Sequence, residues 1–157
     1  MSQGVSAQDL YRLKSVSQAS AADHQIFFVE NRIDEANNQY LASIKRVDQA
    51  GHSQDVAVNG QLNLQPAVAG DQLVYASKVG AAKPQLFTVA ISGGESTLVT
   101  TATPGETVNT VIAAADGQSV YFKTTETAEL PKLPNQEKFP KTPVSYTHLT
   151  LPTICSV

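Results

Sequence analysis

Residues 65–76 of the chain read QPAVAGDQLVYA: a run of small apolar residues, a Gly-Asp turn, and a second run that is apolar and aromatic. The same pattern occurs twice more, as SQASAADHQIFFV at residues 17–29 and as NTVIAAADGQSVYF at residues 109–122. The turn aspartates Asp23, Asp71 and Asp116 are separated by 48 and 45 positions. These spacings indicate an internal repeat of about 45 residues.

A second motif repeats in phase with the first. The triplet QYL at residues 39–41 is followed 46 positions later by QLF at residues 85–87, and a strand-like run and a turn come after each. A more polar run ends each unit, at residues 54–58 and 97–100. Alternating β-branched and aromatic residues predict strands, and Asp-Gly or Gly-Gly pairs predict tight hairpin turns. Each unit is therefore predicted to contain four short strands.

A period of this length with four strands per unit is typical of propeller blades. We predict an all-β fold, a partial β-propeller with two four-stranded antiparallel blades and the start of a third. The predicted blades cover about residues 9–60, 61–104 and 105–142, so that residues 1–142 form an incomplete propeller. Complete propellers have roughly four to eight blades. A small β-sandwich with coincidental spacing is the alternative.

The small-residue runs are expected to form the innermost strand of each blade. These runs cover residues 19–22, 67–70 and 111–115. Only small side chains such as Ala, Val and Gly fit close to a crowded central axis. Their apolar neighbours Phe27, Val74 and Tyr121 are expected to pack between blades.

The C-terminal part of the chain does not continue the repeat. Four prolines in residues 130–143 predict a long loop or linker rather than a strand or helix. Residues 143–157 contain no Lys, Arg, Asp or Glu, and residues 144–153 resemble translated sequencing adapter. We expect the native sequence to end near Thr142 and residues 143–157 to be a non-native tail. The alternation in residues 146–151 leaves an outer strand as the alternative.

Composition excludes several classes of partner. The chain has 157 residues, a net charge of −3 and an isoelectric point near 5.5, with no basic cluster suited to nucleic acid or anionic lipid. We expect neither a nucleic-acid nor a membrane partner. The N-terminus lacks the features of a secretory signal, and Cys155, the single cysteine, has no internal partner. These features favour a cytoplasmic setting.

No segment carries recognisable catalytic machinery. The nearest approach to a Gly-x-Ser-x-Gly elbow is GHSQD at residues 51–55, whose last position is Asp and which is predicted to lie in a hairpin turn. His24, His52 and His148 show no metal-ligand spacing with one another or with Cys155. Gly93-Gly94 is predicted to be a hairpin turn, not a phosphate loop. We predict no catalytic, cofactor-binding or metal-binding residue, and no cofactor.

Three segments resemble a known family. They are DLYRLKSVS at residues 9–17, DGQSVYF at residues 116–122, and PQLFTV at residues 84–89 with SGGESTLVT at residues 92–100. They resemble the N-terminal propeller of prolyl-oligopeptidase-family serine peptidases, in particular the acylaminoacyl-peptidase or dipeptidyl-peptidase-like branch. The resemblance covers about residues 8–142. The chain departs from the family pattern because Asp23 and Asp71 are not preceded by Ser-Pro.

The resemblance implies that the chain is a non-catalytic propeller fragment. In the family, a propeller caps an α/β-hydrolase domain and restricts access to it. The fragment would gate and position short peptide substrates for that missing domain, its partner in cis, which would hold the catalytic Ser, Asp and His. No functional residue of the family is carried over to this chain. The alternative is a TolB-like or scaffold binding propeller with no enzymatic domain, since such propellers share the Gly-Gly-Glu turn.

Two groups of acidic residues are predicted to lie in or next to loops. Glu30, Asp34 and Glu35 flank a polar loop at residues 31–39, and Glu126 and Glu129 precede the proline-rich stretch. We assign both groups to solvated loops; by analogy with the family, the alternative is binding of a substrate's amino terminus.

An incomplete propeller leaves an apolar face and strand edges exposed, so we expect poor solubility of the isolated chain and no peptidase activity.

Overall fold

A computed structural model describes residues 6–80, 82–99, 106–126 and 155–156. A short 3₁₀ helix, Ala7–Arg12, precedes the strands, and Ser6 caps its N-terminus, with a backbone N–H that donates to Asp9 Oδ2 at 2.7 Å. The described residues then form eleven strands: β1 (Lys14–Ala22), β2 (Gln25–Asp34), β3 (Gln39–Val47), β4 (Ser53–Ala57), β5 (Leu62–Ala69), β6 (Gln72–Lys78), β7 (Gln85–Ala90), β8 (Thr97–Leu98), β9 (Glu106–Ala113), β10 (Ser119–Glu126) and β11 (Cys155–Ser156).

The strands pair as three successive antiparallel meanders. The first meander is β1–β4, the second is β5–β8, and the third is β9–β11, in which Ser119 and Val120 pair with Ser156 and Cys155. A single parallel pairing, Ala42 of β3 opposite Leu62 of β5, joins the first two meanders. The all-β prediction is confirmed, since the described part of the chain contains no α-helix. It likewise contains no helix of the length and apolar character that crossing a bilayer would require.

The three repeat aspartates occupy corresponding places. Asp23, Asp71 and Asp116 each lie in the turn between the first and second strand of a meander. In the first meander the turn has only two residues, Asp23 with φ of 48° and His24 with φ of 60°. Positive φ at both central residues is the mark of a type I′ hairpin turn, which suits the right-handed twist of paired strands. In this turn both central residues, Asp23 and His24, adopt positive φ although neither is glycine.

His24→Gly is expected to stabilise the chain by about 0.5–1 kcal/mol, because glycine adopts the left-handed conformation without steric cost. The side chain that is lost is exposed, and its Nδ1 lies 3.3 Å from Gln49 Nε2. Urea denaturation measures the change. His24→Ala, which removes the ring but keeps the strained conformation, is the control. Equal stability of the two variants would contradict a conformational origin.

Asp116 organises its turn through its carboxylate. Oδ1 accepts hydrogen bonds from the backbone N–H groups of Gln118 and Ser119, both at 2.9 Å, and Oδ2 accepts from the Ser119 hydroxyl at 2.8 Å. These bonds favour the charged form. The bond from the Gln118 N–H is the largest cause that lowers the pKa of Asp116 below its ordinary value of 3.8. The next residue, Gly117, has φ of 67° and completes the turn.

Asp116→Ala is expected to destabilise the chain at neutral pH, by an amount that shrinks in acid. A carboxylate with a lowered folded-state pKa contributes its full stabilisation above the unfolded value of 3.8. That contribution is lost as the pH falls through the folded pKa. The measurement is the difference in unfolding free energy between wild type and variant from pH 7 downwards. Asp116→Asn keeps an acceptor oxygen and does not titrate, so its pH profile supplies the control.

The second meander is buried on both faces. We call the face of a meander that points towards the preceding meander its leading face, and the face that points towards the next meander its trailing face. In the first meander the leading face is therefore the one that points away from the second meander. Leu73, Tyr75 and Val89 form the leading face of the second meander and join a core with the first meander's Phe27 and Ile44. The trailing face joins a second core with residues of the third meander; its members in the second meander are Ala67, Ala69, Val74, Ala76 and Leu86. The three meanders therefore stack face to face in chain order.

The burial of Tyr121 differs from the prediction. Phe27 and Val74 are 0 % and 1 % exposed, as expected for residues between sheets, but Tyr121 is 43 % exposed. Strand pairing shows that the three are equivalent, each lying opposite Ser20, Ala67 or Ile112 on the first strand. All three occupy trailing faces. Val120 and Phe122, on either side of Tyr121 in the strand, contact the second meander from the leading face. Tyr121 is exposed because no described residues pack on the trailing face of the third meander.

The first strands of two meanders carry matching bulges. In β1, Gln18 and Ala19 together lie opposite one residue of β2, and in β5, Gln65 and Pro66 lie opposite one residue of β6. Gln18 and Gln65 both have positive φ, 52° and 58°. Gln18 Oε1 accepts a hydrogen bond from the Gln65 backbone N–H at 2.8 Å. One bulge is thereby joined to the next across two meanders.

Candidate functional site: a charged groove on the first meander

The leading face of the first meander carries an ion-pair chain across all four strands. Lys14 of β1, Glu30 of β2, Lys45 of β3 and Asp55 of β4 follow one another. Lys14 Nζ lies 3.3 Å and Lys45 Nζ 3.5 Å from Glu30 Oε1, and Lys45 Nζ lies 3.4 Å from Asp55 Oδ1. The side chains of Glu30 and Lys45 are 17 % and 21 % exposed, so the middle of the chain is partly shielded from water.

These four residues line a surface cavity of about 340 Å³. Arg32, Leu41, Ser43, Val58 and Gly60 complete its wall. Cross-strand pairing explains the arrangement, because Glu30 lies opposite Ser43 and Arg32 lies opposite both Lys14 and Leu41. Residues directly opposite on adjacent strands project from the same face of a sheet. We call this surface the charged groove.

The carboxylates of the groove are already paired with ammonium groups. Partly exposed pairs of this kind contribute about 0–1 kcal/mol each. Ser43 is the one hydroxyl among the lining residues. Within the described ranges no imidazole lines the groove.

The segment at residues 51–55 is divided between a turn and a strand. Gly51 and His52 precede β4, and Ser53 begins it opposite Val47. His52 hydrogen-bonds to Asp48, four residues earlier in the chain. The His52 backbone N–H donates to Asp48 Oδ1 at 2.9 Å, and His52 Nδ1 lies 3.2 Å from Asp48 Oδ2. The bond from the His52 N–H is the main cause that lowers the pKa of Asp48. In the described structure His52 makes no hydrogen bond to Ser53, and the segment forms no triad.

The other candidate residues do not come together. His24 lies in the β1–β2 turn against Gln49, and Cys155 pairs with Val120 at the edge of the third meander. His148 lies outside the described residues, as do Glu129 and the proline-rich stretch. Across the part of the chain that is described, no three His, Cys, Asp or Glu side chains are grouped as a metal site would need.

The loop assigned to the first acidic group is shorter than predicted. Strand β2 extends through Asp34 and β3 begins at Gln39, so the connection covers only residues 35–38. Glu30 was predicted to belong to a solvated loop. In the structure it is a strand residue within the ion-pair chain. Asp34 ends β2, and its carboxylate contacts the turn: Oδ2 accepts a hydrogen bond from Asn37 Nδ2 at 2.7 Å, which lowers the pKa of Asp34. Glu126 ends β10.

Sequence reasoning did not single out Lys14, Arg32, Lys45 or Asp55. A signal was present, since Ser43 and Lys45 alternate with the buried Ala42 and Ile44, and Glu30 directly follows the buried Val29. Such alternation predicts a polar face on each strand. It does not show which polar faces of four strands line up, because that depends on register.

These observations define an all-β chain of stacked antiparallel meanders that carries a charged groove and, in its described part, no catalytic constellation. No protein-family model matches the sequence, and no protein of curated function matches it either.

Solved structures of acylaminoacyl peptidases share the fold. The uncomplexed Pyrococcus horikoshii acylaminoacyl peptidase is similar with a TM-score of 0.63 and 10 % identity over 83 % of this chain. Its orthorhombic crystal form gives 0.64 and 10 % over 83 %. An acylaminoacyl peptidase in complex with Z-Gly-Gly-Phe-chloromethyl ketone gives 0.64 and 10 % over 80 %. The matched region is only 20 %, 21 % and 20 % of those chains, so this chain spans about a fifth of their length.

Proposed function

We propose that the chain is the beginning of a β-propeller that serves a serine peptidase of the acylaminoacyl-peptidase type. In this proposal the three meanders are two blades and the start of a third, with boundaries near residues 60 and 104. The propeller would admit and position short peptides for an α/β-hydrolase domain in the same polypeptide, in a cytoplasmic setting. Residues 143–157, which include β11, would be a tail foreign to that protein.

One observation carries the proposal: three meanders stack face to face with a period of about 45 residues, and this arrangement is similar to acylaminoacyl peptidase structures over 83 % of the chain. The same strand order in the first two meanders, and equivalent turn aspartates in all three, support a repeat of one structural unit. The similarity covers about a fifth of each of those proteins, which leaves room for further blades and a second domain.

The gating role is proposed for the first strands of the meanders. β1, β5 and β9 each begin a meander, and the bulges of β1 and β5 are hydrogen-bonded through Gln18 and Gln65. In a closed ring such strands would surround the axis and limit what passes along it. Small residues such as Ala19, Ala67 and Ala113 would leave space there.

Recovery of the complete gene tests the proposal. The reading frame past codon 142 is expected to contain further repeats of about 45 residues, followed by a Gly-x-Ser-x-Gly elbow. The encoded full-length protein should then react with a fluorophosphonate probe and release the N-terminal residue of acylated peptides. Replacement of the elbow serine by alanine should abolish both, and the present chain alone should show neither. A frame without the elbow that ends after its last repeat would favour a TolB-like or scaffold binding propeller.

A further inference from the structure

The first and third meanders, at the two ends of the stack, each expose a face whose counterpart in the second meander is buried. In the second meander, leading-face residues Leu73 and Tyr75 are fully buried. Pairing registers make Ile26 and Phe28 their equivalents in the first meander: Ile26 lies between Ala21 and Val47, as Leu73 lies between Val68 and Val89. Ile26 is nevertheless 47 % exposed. The first meander thus keeps apolar residues on a leading face that no described residues cover.

The third meander presents the complementary case. Its trailing face carries the cross-strand pair Ile112 and Tyr121, which are 58 % and 43 % exposed. The equivalent pair in the second meander, Ala67 and Val74, is 2 % and 1 % exposed. Two large apolar side chains therefore occupy positions that are buried wherever the next meander is in place.

We infer that these two faces bind each other between copies of the chain, the trailing face of the third meander against the leading face of the first. Within one chain a trailing face meets a leading face twice, at the first-to-second and second-to-third junctions. A second copy offers the same kind of surface in the same orientation and continues the stack. The contact is heterologous, because the two participating surfaces differ, so copies add head to tail.

Charged residues at both faces are compatible with this contact. Lys123 follows Tyr121 by two positions on β10 and lies on the trailing face. The leading face of the first meander offers Asp55, whose side chain is 55 % exposed, beside the cations Lys14, Arg32 and Lys45 of the charged groove. Opposite charges at the rim of an apolar contact favour one orientation over others. The inference concerns the present chain and does not depend on the proposed peptidase parent.

Sedimentation velocity of the full chain over a range of concentrations tests the inference. Wild type is expected to form dimers and larger species as concentration rises. Ile26→Glu damages only the leading face, and Tyr121→Glu only the trailing face, so each should weaken self-association by at least about tenfold. Ile112→Glu provides a second variant of the trailing face. Circular dichroism and a thermal transition establish that each variant is folded.

A mixing experiment distinguishes head-to-tail binding from general stickiness. Ile26→Glu retains an intact trailing face and Tyr121→Glu an intact leading face, so an equimolar mixture should form dimers that do not grow further. The matched control is Tyr40→Glu, because Tyr40 is 71 % exposed but lies on the first meander away from both faces. A monomeric wild type, single variants that associate like wild type, or a mixture that stays monomeric would each overturn the inference.

Discussion

Asn63→Leu is expected to lower the free energy of unfolding by about 3–5 kcal/mol, because it leaves several buried polar groups without partners. Asn63 is fully buried in β5. Its Nδ2 donates to the carbonyl oxygens of Ala42 and Gly60 at 3.0 and 3.2 Å, and its Oδ1 accepts from the Ser77 hydroxyl at 2.7 Å. Leucine has a similar size but can make none of these bonds.

The position of Asn63 makes the loss larger than that of an ordinary side-chain hydrogen bond. Ala42 belongs to the first meander and Ser77 to the second, so the amide joins the two at their single parallel pairing. The surroundings leave no room for rearrangement. A Cβ placed on Gly60 would lie 2.4 Å from Ser77 Oγ and 2.6 Å from the Lys78 carbonyl oxygen.

Urea denaturation of the Asn63→Leu, Ser77→Ala and double variants measures the effect. Ser77→Ala removes one hydroxyl and is expected to cost about 1–2 kcal/mol. The double variant should be less destabilised than the sum of the two, since the hydroxyl has already lost its acceptor when Asn63 is absent. Full additivity would show that the two side chains do not act together.

Much of the fold could be predicted from local features. The turns at Asp23, Asp71 and Asp116 are marked by small or turn-forming residues between two apolar runs, and hairpin turns are determined by residues close in sequence. The third strands of the first two meanders begin at Gln39 and Gln85, where the second repeated motif also begins. Period-two alternation then gives the strand class directly.

Features that depend on contacts between distant strands could not be predicted. Tyr121 shows the limit: its pattern assigns it to an apolar face, but burial of that face depends on whether another sheet packs against it. The buried role of Asn63 depends on Ala42, 21 residues earlier, and on Ser77, 14 residues later. An asparagine next to leucines has no local feature that indicates three buried hydrogen bonds.

The charged groove shows the same limit at the level of a site. Glu30 was assigned to a loop because residues 31–39 are polar, whereas β2 continues through Asp34. Its two lysine partners come from strands on either side, Lys14 from β1 and Lys45 from β3. The register that brings them together is fixed by turns and by the buried residues of the opposite face. A polar face was predictable, but its ion-pair chain was not.

Tyr75 is the residue whose truncation is expected to damage the core most. Its side chain is fully buried on the leading face of the second meander, and its ring stacks on Phe87 with centroids 6.2 Å apart. The hydroxyl donates to Asn59 Oδ1 at 2.9 Å and hydrogen-bonds with the Ser96 hydroxyl at 2.6 Å. Burial raises the pKa of this hydroxyl above its ordinary value of 10.0, so it remains protonated at neutral pH.

Tyr75→Ala is expected to lower the free energy of unfolding by about 3–5 kcal/mol, since it leaves a cavity between the first two meanders. Tyr75→Phe keeps the ring and removes only the hydroxyl, so about 1–2 kcal/mol should be lost. Tyr40→Ala, at an exposed position, should change stability by less than about 0.5 kcal/mol. The three values follow from urea denaturation monitored by circular dichroism. If Tyr75→Phe were as destabilising as Tyr75→Ala, the two hydrogen bonds and not the buried ring would hold the junction together.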